Sequence, residues 1–152
     1  MEIIHVDDHI AAIDHHLLGI PGTGVSYVVR GEAVALVETG TALTVPRTLA
    51  GLERLGVRPE QVEHILCTHI HMDHAGGAGY LASALPRASV YIHSTVGQHL
   101  VDPSKLVPSV RRAVGEEAWP LHGDILPLPP ERLRPAEALR LDLGRDVLLE
   151  AI

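Results

Sequence analysis

The stretch "CTHIHMDHAGG", residues 67–77, places three histidines and one aspartate directly before a pair of glycines. The four candidate metal ligands are His69, His71, Asp73 and His74. Imidazole nitrogens and carboxylate oxygens suit Zn²⁺, and they also suit iron or manganese. Glycines lack a Cβ atom, so the backbone can turn sharply and let an ion or a substrate come close. The stretch therefore predicts a metal site where a strand meets a glycine turn.

The spacing of the four ligands allows two adjacent metal positions. In an extended chain, residues i and i+2 point the same way and lie about 6.5 Å apart. His69 and His71 can therefore converge on one ion, and Asp73 continues the same row. His74 falls on the other side as the chain begins to turn, so Asp73 and His74 are expected to serve the second position. The alternative is a set of surface histidines in a chain that contains 11 of them.

Composition limits the classes of function. The 152 residues fit one domain, residues 1–152, and a hydrophobic fraction of 46% is that of a globular protein. A net charge of -7 argues against a nucleic-acid partner, because phosphate binding needs clustered Lys and Arg. The amino terminus lacks a secretory signal pattern, and no apolar run approaches the roughly 20 residues of a membrane span. With one cysteine, these features favour a cytoplasmic protein without a membrane partner.

Four short segments have the composition of strands. The runs "VSYVVR" (25–30) and "AVALV" (33–37) are rich in β-branched residues, and Gly31-Glu32 between them predicts a hairpin turn. Two further strands are expected at 62–69, which leads into the ligand cluster, and at 88–93. Their alternation with helical patterns predicts an α/β layered fold with some parallel pairing.

Helical spacing is found in two segments between these strands. Residues 45–55 repeat their apolar positions as a helix does, with Thr44 as the expected N-cap and Gly56 as the expected stop. A second short helix is expected at 78–85. Residues 95–135 hold most of the prolines and several short helical patterns. We interpret them as a helical insertion that lies across the sheet, with a packed connector as the alternative.

The ligand cluster and its surroundings resemble a known family. The run "THIHMDHAGG" (68–77) resembles the T-H-x-H-x-D-H-x-G-G signature of the metallo-β-lactamase-fold hydrolases, which include glyoxalase II-like thioesterases and lactonases. The hairpin run "VSYVVRGEAVALVETG" (25–40) resembles the family's opening segment, with Glu38 where Asp is common. Residues 56–69 and 137–152 also resemble family segments. The resemblance implies an α/β fold of the αββα sandwich type, a mixed sheet with flanking helices.

This resemblance also implies a chemistry. His69 and His71 are expected to bind the first Zn²⁺, and Asp73 and His74 the second, giving two ions in the intact site. By the same resemblance, a water or hydroxide between the ions would be the nucleophile, and Asp73 would orient it as the catalytic residue. The expected reaction is hydrolysis of an ester, thioester, lactone or amide bond in a small-molecule substrate.

The same family uses ligands that this chain does not contain. A third histidine, a bridging aspartate and a further histidine follow the strand that residues 146–152 resemble, so the chain is expected to be the first half of the sandwich. Catalytic zinc generally takes three protein ligands and a water. A complementary C-terminal half, or association as a homo-oligomer, is therefore expected to complete the site.

Other histidines and acids define no coordination geometry of their own. Surface positions are expected for the amino-terminal group, which consists of Asp7, Asp8, His9, Asp14, His15 and His16. His93, at a strand end, is expected to be half-buried, with a capping role or a contact to a metal ligand as the alternative. His99 and His122 are expected in solvated positions, and Cys67 as a small buried apolar residue.

Three functions remain open on the sequence. The first is a binuclear metal hydrolase, of which this chain is the amino-terminal half. The second is a non-catalytic metal-binding or interaction module that needs a complementary chain. The third, a nuclease of the same superfamily, is disfavoured by the acidic charge and by the absence of a basic stripe.

Overall fold

The computed structural model describes residues 2–152 and contains one mixed sheet of seven strands. The strands are β1 (Ile3–His5), β2 (Ile10–Asp14), β3 (Val25–Arg30), β4 (Val34–Val37), β5 (Val62–Leu66), β6 (Ser89–Ile92) and β7 (Leu133–Pro135). Their order in space is their order in sequence. Pairing is antiparallel from β1 to β4 and parallel from β4 to β7. The predicted α/β class with partly parallel strands is confirmed.

The strands are apolar on both faces because both faces of the sheet are covered. Leu36 and Ile65 belong to the larger core on the helical face, whereas Ala35 and Leu66 belong to a smaller cluster on the opposite face. Neighbouring residues alternate in this way because successive side chains of a strand point to opposite faces. Near-continuous apolar runs are typical of such doubly covered strands.

Helices cover one face of the sheet. The helices are α1 (Val45–Arg54), α2 (Met72–Ala75), α3 (Ala78–Ala84), α4 (Ser94–Val101) and α5 (Leu106–Val114), and among them α5 contributes no residue to the core on that face. α1, α3 and α4 contribute Leu52, Leu81 and Leu100 to the larger core. Burying a leucine side chain of this kind contributes about 2 kcal/mol. Residues 2–152 form no helix that combines the length and the apolarity needed to cross a membrane.

The helix and strand boundaries agree closely with the sequence in the first part of the chain. The predicted strand 25–30 is β3, and the predicted hairpin is confirmed by its antiparallel pairing with β4. Gly56 follows α1 with φ +70°, as expected of a glycine that ends a helix. Thr44 holds the N-cap position, but its hydroxyl donates to the carbonyl of Thr41 and makes no cap bond. A 3-10 turn (Ala42–Thr44) runs directly into α1, so Thr44 is the N-cap by position, as predicted, without a side-chain bond to the helix.

A two-stranded hairpin covers the other face of the sheet. It consists of β8 (Arg140–Asp142) and β9 (Leu148–Glu150), and Leu143 lies at its turn, fully buried. The Leu143 carbonyl accepts backbone hydrogen bonds from Glu32, at 2.6 Å, and from Ala33, at 3.0 Å. These bonds fix the hairpin to the turn between β3 and β4.

The segment 95–135 contains most of α4, all of α5 and all of edge strand β7. None of the residues of α5 is fully buried. Trp119 is buried, and the guanidinium of Arg111 lies 5.3 Å from its ring centroid. This tryptophan therefore acts as the packing anchor of the segment.

The residues of the candidate site lie along one edge of the sheet, the edge that is formed by the ends of the strands and not by an outer strand. β4, β5 and β6 are parallel, so their carboxyl ends meet at one edge, where ligands of α/β sheets bind. β2 also ends there and β3 begins there, because both run antiparallel to their neighbours. His15, Ser26, Glu38 and His93 are thereby brought to the same edge as the metal-ligand motif.

Candidate metal centre

The motif follows β5 as a bend and a single helical turn. β5 ends at Leu66, and residues 68–70 bend before the helical turn of α2 begins at Met72. His71 is extended, with φ -61° and ψ 147°, and Asp73 already lies in the first turn of α2. The expectation that Asp73 continues an extended row is therefore wrong. The Met72 side chain is buried in the protein interior, and this burial accompanies the change from strand to helix.

The structure brings the four predicted ligands together. The ring centroid of His69 lies 4.7 Å from that of His71 and 4.1 Å from that of His74. Oδ2 of Asp73 lies 3.4 Å from Nε2 of His74. The hydroxyl of Thr68 is 2.9 Å from Nδ1 of His69, which leaves Nε2 of that ring free for a metal.

The spacing between Asp73 and His74 fits a divalent metal. Zinc lies about 2.1 Å from nitrogen and oxygen ligands, so two ligands at tetrahedral positions are about 3.4 Å apart. The oxygen and nitrogen of this pair have that separation. Among residues 2–152, however, no group of three or more His, Cys, Asp or Glu side chains is arranged to hold an ion. The residues therefore fit part of a metal site, in which each ion would have two protein ligands from this chain.

Glu38 connects the two ends of the motif. Its Oε2 lies 3.2 Å from Nδ1 of His74, and within residues 2–152 both atoms are buried without a hydrogen bond of good geometry. Its Oε1 accepts a hydrogen bond of 3.3 Å from the backbone N–H of Thr68. Glu38 has φ +72°, a left-handed conformation that costs a non-glycine residue about 1 kcal/mol. The sequence pointed to this acid only through the family resemblance.

Thr39 and Gly77 hold the helical turn against the loop after β4. The backbone N–H and the hydroxyl of Thr39 both donate to the carbonyl of His74, each at 2.8 Å. The N–H of Gly77 donates to the carbonyl of Gly40 at 2.9 Å. A Cβ atom on Gly77 would lie only 2.7 Å from the carbonyl oxygen of Thr39. The close approach that requires this glycine is thus to the neighbouring loop, and the prediction had placed it toward an ion or substrate.

Asp14 and His15 were misjudged as surface residues. Both are 1% exposed: Asp14 is the last residue of β2, which is paired on both sides, and His15 follows it directly. Burial lowers the pKa of His15 to about 4, although the nearby Asp14 carboxylate opposes the change. Nε2 of His15 lies 2.8 Å from the hydroxyl of Ser26. The apolar run "IAAI" (10–13) directly before them was the available signal. By contrast, Asp7 and Asp8 are exposed as expected.

Cys67 and His93 flank the motif on neighbouring strands. Cys67 is buried as predicted, and burial raises the pKa of its thiol, which makes it a poor nucleophile. The His93 side chain is 57% exposed, so the expectation of a half-buried histidine is wrong. Its capping alternative is confirmed, because the ring accepts a hydrogen bond from the backbone N–H of Thr95 at the start of α4.

A cleft of about 650 Å³ lies beside the motif on the hairpin face of the sheet. Its lining includes Thr68, Tyr91, His93 and Glu137 together with residues of β9. Pockets of about 300 to 1,000 Å³ are typical of small-molecule sites. Thr68 directly precedes His69, so the cleft adjoins the candidate ligands.

A model of the metallo-beta-lactamase superfamily matches residues 19–150 of the chain. The chain belongs to the metallo-beta-lactamase superfamily. Solved metallo-beta-lactamases share its fold. The native FEZ-1 metallo-beta-lactamase from Legionella gormanii is 14% identical with a TM-score of 0.70, and the match covers 95% of this chain and 50% of that one. MEM-A1, a subclass B3 metallo-beta-lactamase from a soil metagenome library, is 22% identical with a TM-score of 0.69 over 95% and 50%.

A curated superfamily member also matches. The metallo-beta-lactamase domain-containing protein 1 of Xenopus laevis is 33% identical over 57 residues, which are 38% of this chain and 24% of that protein. The chain thus spans about half the length of the solved metallo-beta-lactamases that it matches. The coverage agrees with the expectation that residues 1–152 correspond to the first half of the sandwich.

Proposed function

We propose that the protein is a metal-dependent hydrolase of an ester, thioester, lactone or amide bond. The observation that carries this proposal is the 3.4 Å separation between Oδ2 of Asp73 and Nε2 of His74, next to the clustered rings of His69 and His71. Membership of the superfamily supports it. Two Zn²⁺ ions suit this set of nitrogen and oxygen donors, and iron or manganese are the alternatives.

Each residue of the motif has a distinct task in this proposal. His69 and His71 hold one ion, and Asp73 and His74 hold the other. Ions bound there would polarise the scissile carbonyl and lower the pKa of a water molecule toward neutrality. The Asp73 side chain is 46% exposed, so its carboxylate can accept a hydrogen bond from the attacking water and orient it. The Glu38 carboxylate lies beside Nδ1 of His74, whereas Nε2 of the same ring faces Asp73.

The second candidate function is a non-catalytic metal-binding or interaction module that needs a complementary chain. The observation that favours it is the absence, within residues 2–152, of any group of three ligands arranged for a metal. A C-terminal half of the sandwich or a second copy of this chain would supply the missing ligands. Besides this complementary chain, we propose a small-molecule substrate as a partner. We propose no nucleic-acid or membrane partner. The lone buried cysteine favours the cytoplasm as the location.

Metal content of the purified, tag-free chain tests the site. We expect zinc to bind the wild-type chain, and we expect Asp73→Ala and His71→Ala each to reduce the bound zinc. His5→Ala is the matched control, because His5 is exposed and lies on β1 at the far edge of the sheet. If Asp73→Ala and His71→Ala bind as much zinc as His5→Ala, the assigned ligands are wrong.

Hydrolysis of ester, thioester, lactone and β-lactam probes by the zinc-loaded chain separates the two candidates. We expect little turnover by the chain alone, and turnover that appears when the complementary half is added. Turnover by a monodisperse monomer that His71→Ala abolishes would instead show that these residues suffice. If zinc binds but no probe is cleaved even with the complementary half, the non-catalytic module is favoured.

A further inference from the structure

A buried chain of polar contacts runs from His15 to the metal motif. Nε2 of His15 lies 2.8 Å from Oγ of Ser26, and that hydroxyl donates to the carbonyl oxygen of Glu38 at 2.7 Å. The Glu38 carboxylate then lies 3.2 Å from Nδ1 of His74. His15 and Ser26 are 1% and 0% exposed, so the first two contacts are shielded from solvent. This chain spans β2, β3, the end of β4 and α2.

The number of available hydrogens shows which group is the donor in the contact between His15 and Ser26. The Ser26 hydroxyl has one hydrogen, and it is donated to Glu38 because a carbonyl oxygen can only accept. Nε2 of His15 must therefore be the donor to Ser26. The Thr48 hydroxyl, at 3.4 Å from the same nitrogen, is a more distant neighbour. His15 thus carries a hydrogen on Nε2 and fixes the orientation of the Ser26 hydroxyl.

Glu38, which accepts the hydrogen bond from Ser26, has a backbone conformation that needs support from its surroundings. Glu38 has φ +72°, and a non-glycine residue keeps such a conformation only where its surroundings hold it. Its N–H donates to the carbonyl of Leu66 at 2.8 Å, and the bond from Ser26 anchors its carbonyl. The ring of His15 also packs under Gly40, where a Cβ atom would lie 2.7 Å from it. The loop that begins at Glu38 therefore rests on His15.

We propose that His15 is a positioning residue for the metal centre. Through Ser26 it holds Glu38 in the conformation that aims the Glu38 carboxylate at Nδ1 of His74. A carboxylate 3.2 Å from Nδ1 favours the tautomer with its hydrogen on Nδ1, and Nε2 of His74 then faces Asp73, where the metal is proposed to bind. Carboxylates behind a histidine ligand fix its tautomer and its ring orientation in this way. The inference rests on the proposed function only in its consequence for metal affinity.

Four variants of the 152-residue chain test this role. His15→Leu removes the donor, and His15→Gln retains an N–H group at a similar distance from the backbone. Ser26→Ala interrupts the chain one step later. The matched control is His64→Leu, because His64 is partly buried and lies 3.2 Å from the hydroxyl of Tyr91, away from Glu38.

Two measurements are made on each variant. The first is the ¹⁵N signal of the His74 side chain without metal, and the second is zinc affinity by competition with a chromophoric chelator. We expect a protonated Nδ1 in the wild type, His15→Gln and His64→Leu. In His15→Leu and Ser26→Ala we expect a signal averaged between tautomers and a zinc affinity about tenfold weaker. Rescue by glutamine distinguishes positioning from general packing.

The inference is overturned if His15→Leu keeps the wild-type Nδ1 signal and zinc affinity, or if His15→Gln behaves like His15→Leu. If His15→Leu does not fold, the decision passes to Ser26→Ala, which must lose the protonated Nδ1, and to His15→Gln, which must keep it. If the wild-type chain binds no zinc, the metal proposal fails for this chain. The Nδ1 signal of the metal-free variants then still decides the role of His15.

Discussion

Acidification from pH 7.5 to 4 is expected to destabilise the folded chain through His15. The residue is 1% exposed, and burial lowers its pKa from 6.5 to about 4. Between these two values the unfolded chain binds a proton at His15 that the folded chain does not bind. The free energy of unfolding therefore falls as the pH falls through this window. Below about pH 4 the folded chain also takes up the proton, and the loss from this group is complete.

The size of the effect follows from the width of the window. Each pH unit between 6.5 and about 4 removes about 1.4 kcal/mol, so the total loss is about 3 kcal/mol. Small domains are stable by about 5 to 15 kcal/mol, so the loss is a substantial fraction of the total. Asp14 does not contribute in the same window. Its pKa is held below 3.8, because backbone hydrogen bonds from His16 and Gly22 outweigh the opposing effect of burial.

Urea unfolding of the metal-free chain, followed by circular dichroism at pH 7.5, 6, 5 and 4, measures the effect. The control is His15→Gln, which keeps an N–H donor but cannot be protonated. Other groups, including His64, titrate equally in both proteins, so the difference between their pH slopes isolates His15. The wild type is expected to lose about 3 kcal/mol more than His15→Gln over this range. Equal pH slopes for the two proteins would refute the reasoning.

Three further outcomes are expected. Gly77→Ala should destabilise the fold by about 2 kcal/mol in urea unfolding, because its Cβ would lie 2.7 Å from the Thr39 carbonyl oxygen. Gly97→Ala is the control, because its Cβ would meet only the side chains of Leu133 and Ile92, at 3.1 and 3.2 Å, and it should change stability by less than about 1 kcal/mol. Leu81→Ala should lower the free energy of unfolding by about 3 kcal/mol in the same assay, because Leu81 is fully buried. Leu43→Ala is the control and should lower it little, because Leu43 is 56% exposed. Equal losses would contradict the assignment of the core. Glu38→Gln should weaken zinc binding about tenfold in chelator competition; unchanged affinity would remove Glu38 from the site.

Local patterns predicted the elements whose partners are close in sequence. The hairpin of β3 and β4 was predictable because its turn and both strands lie within residues 25–37. α1 was predictable because its apolar spacing and Gly56 are local signals. The end of β5 was not predictable from local signals, and the predicted strand continues to residue 69. The structure ends β5 at Leu66, which pairs with Val37, the last residue of β4.

The candidate site was predictable in its ligand types but not in their support. The four ligands lie within six residues, so their chemistry can be seen in the sequence. The roles of His15 and Ser26 depend on contacts with Glu38, which lies 23 and 12 positions further along the chain. Such contacts follow from strand pairing across the sheet, and no local pattern specifies them. The helical turn at Asp73 was missed for a related reason, because burial of Met72 depends on the assembled core.

The position of Cys67 makes the chain its own reporter of local opening. It is the only thiol, it is buried at the end of β5, and it lies two residues before the first candidate ligand. A thiol-reactive dye can therefore modify the folded chain only when this end of the sheet opens. The rate of dye attachment measures how often the metal motif separates from its neighbours, with no label introduced by mutation. A metal ion that bridges the motif should slow that rate in proportion to the stability it adds.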